Sequence, residues 1–203
     1  EDKAIKVIQK KGVIKNENSN HINQAYLLLG KSRFFDQRYI SSIQALNYIL
    51  KQDKKSEIWY DAFFWRNLIH INLEQVETAI ENLKNELKSS NLNKSQKELI
   101  HLCLSEAYSK NNDHKNLIKH LNLYNKFSND KVQKARSNFI IAQSYVQSDK
   151  TDSAAIFFKK VINSKISRFS EIKLDAILKE SLFADYNIDD GFYKKLLNQT
   201  RNL

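Results

Sequence analysis

The side chains that could do chemistry are few and scattered. Five histidines (His21, His70, His101, His114, His120) lie along 203 residues, and none falls in the His-Glu-x-x-His spacing that holds zinc on a helix face. His114 and His120 are six apart, which puts them on different sides of a helix, and all five read as surface or loop histidines. Glu74, Glu77 and Glu81 follow a helical spacing, but Ala79, Ile80 and Leu83 in the same stretch point the other way. These carboxylates therefore belong to a solvated face. The three glycines (Gly12, Gly30, Gly191) cannot form a phosphate-cradling loop, and no Gly-x-Ser-x-Gly elbow occurs. The single cysteine, Cys103, sits in the apolar run Leu99–Leu104, so it reads as a small buried helix residue that no second cysteine can pair. Nothing in this inventory supports catalysis; the expectation is a non-enzyme that needs no cofactor and no metal.

The elements that would carry these residues are helices. With no proline and three glycines, a fold rich in tight turns is disfavoured, while Lys, Leu, Ile, Ala, Gln and Glu favour helix. Asparagine clusters at Asn16–Asn20 and Asn111–Asp113, where connections belong. A short motif opens an amphipathic stretch five times: Ala4-Ile5, Ser42-Ile43, Ala79-Ile80, Leu117-Ile118 and Ala154-Ala155, at intervals of 37 or 38 residues. Apolar residues follow about one and two turns later, as in Leu46 and Ile49 or Phe158 and Val161. Each such helix has another upstream. Tyr26, Leu29, Gly30, Tyr39, Ser42 and Leu46 match the tetratricopeptide pattern. Leu104, Ser105, Ala107 and Tyr108 match it again, as do Ile141, Ala142 and Tyr145; the pair built on Phe63, Asn67 and Val76 matches least well.

The predicted fold is all-α: a tetratricopeptide-like, right-handed α-solenoid of antiparallel helix pairs in one array over 1–203. It divides into a partial repeat at 1–20, repeats at 21–56, 57–93, 94–130 and 131–167, and a partial or degenerate pair at 168–203. Four first helices are predicted at 22–36, 57–72, 95–110 and 131–147, and their second helices at 38–52, 74–88, 113–127 and 151–164. Further helices are expected at 1–11, 169–185 and 189–202. Small residues such as Gly30, Ser105, Ala142, Ser42, Ala79 and Ala154 let paired helices approach closely, and stacking buries the face that one pair cannot. Leu117 at such a position is expected to widen the third pair. The interval exceeds the usual ~34 residues, an excess assigned to loops around Asp53–Ser56, Ser89–Lys94, Ser128–Lys131 and Ser164–Ser167. Apolar Phe192, Leu196 and Leu197 near one end, and a lone second helix at Asp2–Ile5, lead to the expectation that these residues are a piece of a longer solenoid.

With catalysis unsupported, shape is what remains. First helices of such arrays line a concave surface, whose candidate partner-binding residues are Lys31, Phe35, Phe64, Asn72, Lys110, Arg136, Gln143 and Gln147. Phe34, Leu68, Glu106, Ser109 and Phe139 accompany them. Phe34, Phe64 and Phe139 have a second reading, as packing between neighbouring pairs. The clamp that holds a chaperone's C-terminal carboxylate is not matched, since Lys31, Leu68 and Glu106 occupy its row. A formal charge of +10 comes mostly from lysines interleaved with acids, and no arginine cluster stands beside exposed aromatics. The expected partners are proteins and not nucleic acid.

The segment Gln24–Tyr39, followed by Ala45-Leu46-Asn47-Tyr48-Ile49-Leu50, resembles the SprE/PorW family, as do Asp152-Ser153-Ala154 and Ala79-Ile80-x-Asn82-Leu83-Lys84. These are tetratricopeptide lipoproteins of type IX secretion and gliding motility. The resemblance implies a scaffold on the periplasmic side of the outer membrane, linking the secretion translocon to periplasmic ring components. It also implies membrane attachment only through a lipid anchor outside these residues, because Cys103 is mid-helix. The competing class is a cytoplasmic co-chaperone or regulatory repeat protein that captures peptides, distinguished by the absence of a signal peptide and lipobox in the full reading frame.

Overall fold

The computed structural model describes residues 1–12, 19–52, 56–89, 91–167 and 170–183, and among these every regular element is a helix. They are α1 (Asp2–Gly12), α2 (Ser19–Phe35), α3 (Tyr39–Leu50), α4 (Glu57–Asn72), α5 (Val76–Ser89), α6 (Lys94–Lys110), α7 (His114–Phe127), α8 (Lys131–Gln147), α9 (Thr151–Ile162) and α10 (Glu171–Phe183). The four predicted pairs are α2–α3, α4–α5, α6–α7 and α8–α9. The expected helix at 189–202, with Phe192, Leu196 and Leu197, lies outside the described residues. The chain divides into two compact units, Glu1–Ser128 and Asn129–Leu203.

One turn geometry closes all four pairs. Each pair is joined by three residues, and one of them takes a left-handed backbone: Gln37 (φ 60°), Glu74 (φ 61°), Asn112 (φ 54°) and Asp149 (φ 55°). The next N–H then reaches back to the last turn of the first helix: Arg38 to Arg33, Gln75 to His70, Asp113 to Tyr108 and Lys150 to Tyr145, at 2.8–2.9 Å. This is the Schellman closure, which ends a helix by satisfying its orphan carbonyls. Here it is built four times without glycine. The left-handed residues recur at the intervals of 37 and 38 residues found in the sequence. Between two of the pairs the extra length does not sit in the long loops that the sequence suggested. The connections from α5 to α6 and from α7 to α8 are short, and first helices of 16 or 17 residues take up the difference.

Side-chain caps start most of the first helices. Ser56 accepts from the Trp59 N–H, Asn93 forms a reciprocal capping box with Gln96, and Asp130 accepts from Val132 and Gln133. At the second helices the cap varies by repeat: Asp113 caps α7, whereas Arg38 and Lys150 stand at the same place before α3 and α9 and make no side-chain cap bond.

Within Glu1–Ser128, Ala4 of α1 packs with Ala25, Leu29 and Ala45. A second cluster joins Leu27, Leu46 and Ile49 to Ala62 and Ile69, and so ties the first pair to α4. Gly30 is a close-approach residue: a Cβ there would stand 2.6 Å from Leu46 Cδ2, while the Gly30 carbonyl accepts a buried bond from Ser42 Oγ at 2.7 Å. The second pair, whose sequence match is poorest, adds buried polar contacts. Tyr60 donates to Glu86 at 3.1 Å, and Asn82 donates to Asn67, whose own amide holds the Phe63 carbonyl. Leu117 does not widen the third pair. It is buried, and α6 and α7 are the most extensively packed pair. Within Asn129–Leu203 the core is Ala135, Ala142, Ala154, Phe158, Val161 and Ala176.

Candidate partner-binding surface

Helix α2 packs on α4 and α4 on α6, so the first helices of three consecutive pairs form a row. Residues spaced by three or four along a helix share a face, and on α2 that face carries Gln24, Leu28, Lys31 and Phe35. On α4 the exposed and half-buried stripe is Asp61, Phe64, Trp65, Leu68 and Asn72.

Where the two stripes meet, three aromatic rings gather around Trp65. Phe34 meets it edge-on at 5.1 Å, Phe35 at 5.6 Å and Phe64 at 5.8 Å; Phe34 also touches Phe35 at 5.6 Å and Tyr39 at 5.7 Å. Edge-to-face contacts at such distances are the favourable arrangement of aromatic quadrupoles. The Lys31 ammonium lies 5.4 Å above the Trp65 ring and 3.9 Å from Asp61. Phe34, Tyr39 and Trp65 rest on the core beneath, but Phe35 is 72% exposed and Leu28, two turns back, is 54% exposed. An unburied phenylalanine forgoes roughly 1.5–3 kcal/mol of transfer free energy. Its position is fixed by neighbouring rings, so the surface offered is rigid as well as apolar. Toward the N-terminal ends of α2 and α4 lies a cleft of about 510 Å³. Asn20, Asn23, Gln24, Ser56, Glu57 and Ile58 line it.

Of the residues singled out in the sequence, the structure brings Lys31, Phe35 and Phe64 together. Asn72 is exposed two turns further along α4, its amide returned to the Leu68 carbonyl at 2.8 Å. Lys110 is exposed in the last turn of α6, where a cation suits the helix dipole. Arg136, Gln143 and Gln147 belong to the other unit. There they form a stripe on α8 with Ile140, and only Gln143 is half-buried. Phe34 both packs on the core and borders the shelf. Phe139 is a packing residue, 5.6 Å from Phe158.

Sequence reasoning missed Trp65 and Asp61, although both fall on the helical stripe of Leu68 and Asn72. It also misplaced two histidines. His101 and His120 are buried, not on the surface, with their Nδ1 atoms 3.1 Å apart between α6 and α7. The signal was present in their apolar neighbours: Ile100 and Leu102 beside one, Leu117 and Leu121 beside the other. Among the described residues, no group of three or more histidine, cysteine or acidic side chains could hold a metal ion. No described helix is long and apolar enough to cross a membrane.

The paired helices, the repeated turn and the row of first helices define a tetratricopeptide-like α-solenoid. Solved structures agree on the fold. MamA superposes with a TM-score of 0.59 at 15% identity, over 88% of this chain and 92% of that one. A thermophilic tetratricopeptide protein of Thermus thermophilus, TTC0263, gives 0.53 at 16%, over 88% and 98%. A putative kinesin light chain of Podosopora anserina with nearly identical TPR-like repeats gives 0.63 at 13%, over 88% and 93%. No family model matches the chain, and no curated protein matches it.

Proposed function

We propose that this protein is a non-catalytic scaffold that docks a protein partner on the α2–α4 shelf, and that it serves as a connector of type IX secretion and gliding on the periplasmic side of the outer membrane. The observation that carries the docking role is Phe35. It is a large apolar ring left 72% exposed yet held by neighbouring aromatics, in a row of helices that leaves polar residues at the rim. Interfaces of proteins concentrate their binding energy in such aromatic anchors. The machinery is supported by the likeness of Gln24–Tyr39 and Ala45–Leu50 to the SprE/PorW family. In that setting the partners are translocon and periplasmic-ring proteins, and the anchor is a lipidated cysteine. Cys103 cannot serve, because it is buried in α6 and burial pushes its thiol well above the usual range.

The test is genetic. Deleting the gene should abolish export of type IX cargo and surface spreading. Complementation with Phe35→Asp should fail to restore them although the protein accumulates and folds. Normal export in the deletion strain would refute the machinery, and full rescue by Phe35→Asp would refute the shelf.

A further inference from the structure

The two buried histidines have no part in the shelf, and their setting is unusual for titratable groups. His101 and His120 are 7% and 6% exposed and face each other Nδ1 to Nδ1 at 3.1 Å across α6 and α7. A neutral imidazole has one N–H and one bare nitrogen. The contact therefore requires opposite tautomers, one ring donating from Nδ1 and the other accepting there. Aromatic faces enclose them: Tyr108 stacks on His120 at 5.4 Å and 16°, and Phe127 stacks on His101 at 5.6 Å and 12°.

The charges acting on the pair are all positive. Lys97 comes from α6 itself, Lys119 from α7 and Lys84 from α5, while α4, also packed on α6, adds none. Among the described residues no carboxylate acts on the pair. Burial first, then for His120 the His101 ring, and then the lysines hold both imidazoles well below the ordinary histidine range, at about 4.

We propose that the His101–His120 contact is a proton-sensitive latch between α6 and α7, closed while at least one ring is neutral and forced open when both are protonated. A single proton preserves the bond, since an imidazolium N–H can donate to a neutral Nδ1. A second proton sets two N–H donors face to face with no acceptor between them. The mechanical consequence follows from the topology. Within its unit α7 packs on α6 alone, so parting of the rings loosens the third pair at this contact while α2–α4 keep their own cores. Acid would then loosen the third pair without unfolding the shelf.

Two measurements on the full chain test this. Imidazole Cε1–H resonances followed by NMR from pH 7.5 downward should show the His101 and His120 signals unmoved until the solution is more acidic than about pH 5.5. Below that, amide exchange in α7 should rise relative to α2. Titration of both rings as free histidines do, or equal loss of protection in α2 and α7, overturns the latch. The second measurement compares wild type with His120→Asn, which keeps an acceptor near Nδ1 but cannot take a proton. Between about pH 6.5 and 4.5 the wild-type unfolding constant should steepen by close to one additional proton, about tenfold per pH unit relative to the variant. Superimposable pH profiles overturn it.

Discussion

Replacing Gly30 with alanine tests the helix register more sharply than removing a large core residue. The added methyl would lie 2.6 Å from Leu46 Cδ2 and 2.8 Å from its Cγ, against a carbon–carbon optimum of about 3.5–4.0 Å. Leu46 has no exposed surface, so it cannot swing into solvent, and Ser42 pins the Gly30 carbonyl from the same side. Overpacking of this kind costs about 1–3 kcal/mol. Alanine recovers about 1 kcal/mol of helix propensity that glycine forgoes, leaving a net loss of about 1 kcal/mol. Shortening Leu46 to alanine reverses the sign. That change costs about 2–5 kcal/mol by itself, but it removes the clash, so Gly30→Ala in the Leu46→Ala background should stabilise by about 1 kcal/mol. The assay is a double-mutant cycle by urea unfolding followed by far-UV circular dichroism, with an expected coupling of about 2 kcal/mol. Equal effects of Gly30→Ala in both backgrounds would show that the two residues do not touch, and the register of α2 on α3 would be wrong.

Lys150 stands where Asp113 caps the equivalent helix of the preceding repeat. Lys150→Asp should therefore stabilise α9 by about 0.5–2 kcal/mol in thermal unfolding, and an unchanged or lower Tm would count against the cap geometry. Glu74 holds a left-handed backbone at φ 61°, so Glu74→Gly should raise the urea midpoint by about 0.5–1 kcal/mol equivalent. Asn112→Gly should do less, because asparagine tolerates that region; the reverse order would contradict this. The histidine pair adds a pH dependence whose sign is fixed. Its folded pKa values, about 4, lie below the ordinary value of 6.5. The unfolded chain therefore binds more protons between them, and stability is full above 6.5, falls toward 4 and is flat below. From pH 7 to 5.5 the two rings should remove about 1–2 kcal/mol, after discounting for screening and for their coupling. A calorimetric Tm that does not fall over this range would contradict it.

Fold was legible because small residues report helix contacts directly. Ser42, Ala79 and Ala154 recur at a fixed interval, and a repeat that must stack cannot vary them freely. The turns were less legible: glutamine, glutamate, asparagine and aspartate occupy the left-handed position, and none announces it as glycine would. Leu117 misled because a large residue at a small position suggests separation, whereas it is buried in the most extensively packed pair. The shelf was half read. Phe35 and Lys31 follow from helical spacing on α2, but Trp65 becomes its hub only once α4 is set beside α2, which no local pattern specifies. His101 and His120 are 19 residues apart on two helices, so their contact is a tertiary fact. The apolar neighbours of each hint at burial, but neither names the other as its partner.

The central claim is that the α2–α4 shelf is a protein-docking surface. The direct measurement is site-specific photocrosslinking in living cells, with a benzophenone amino acid at position 35 and, as a control, at exposed position 85 on α5. Docking on the shelf predicts one discrete protein adduct at 35, identified by mass spectrometry as a translocon or periplasmic-ring component and lost in Trp65→Ala, with none at 85. Absence of an adduct at 35, or equal adducts at both positions, would contradict it.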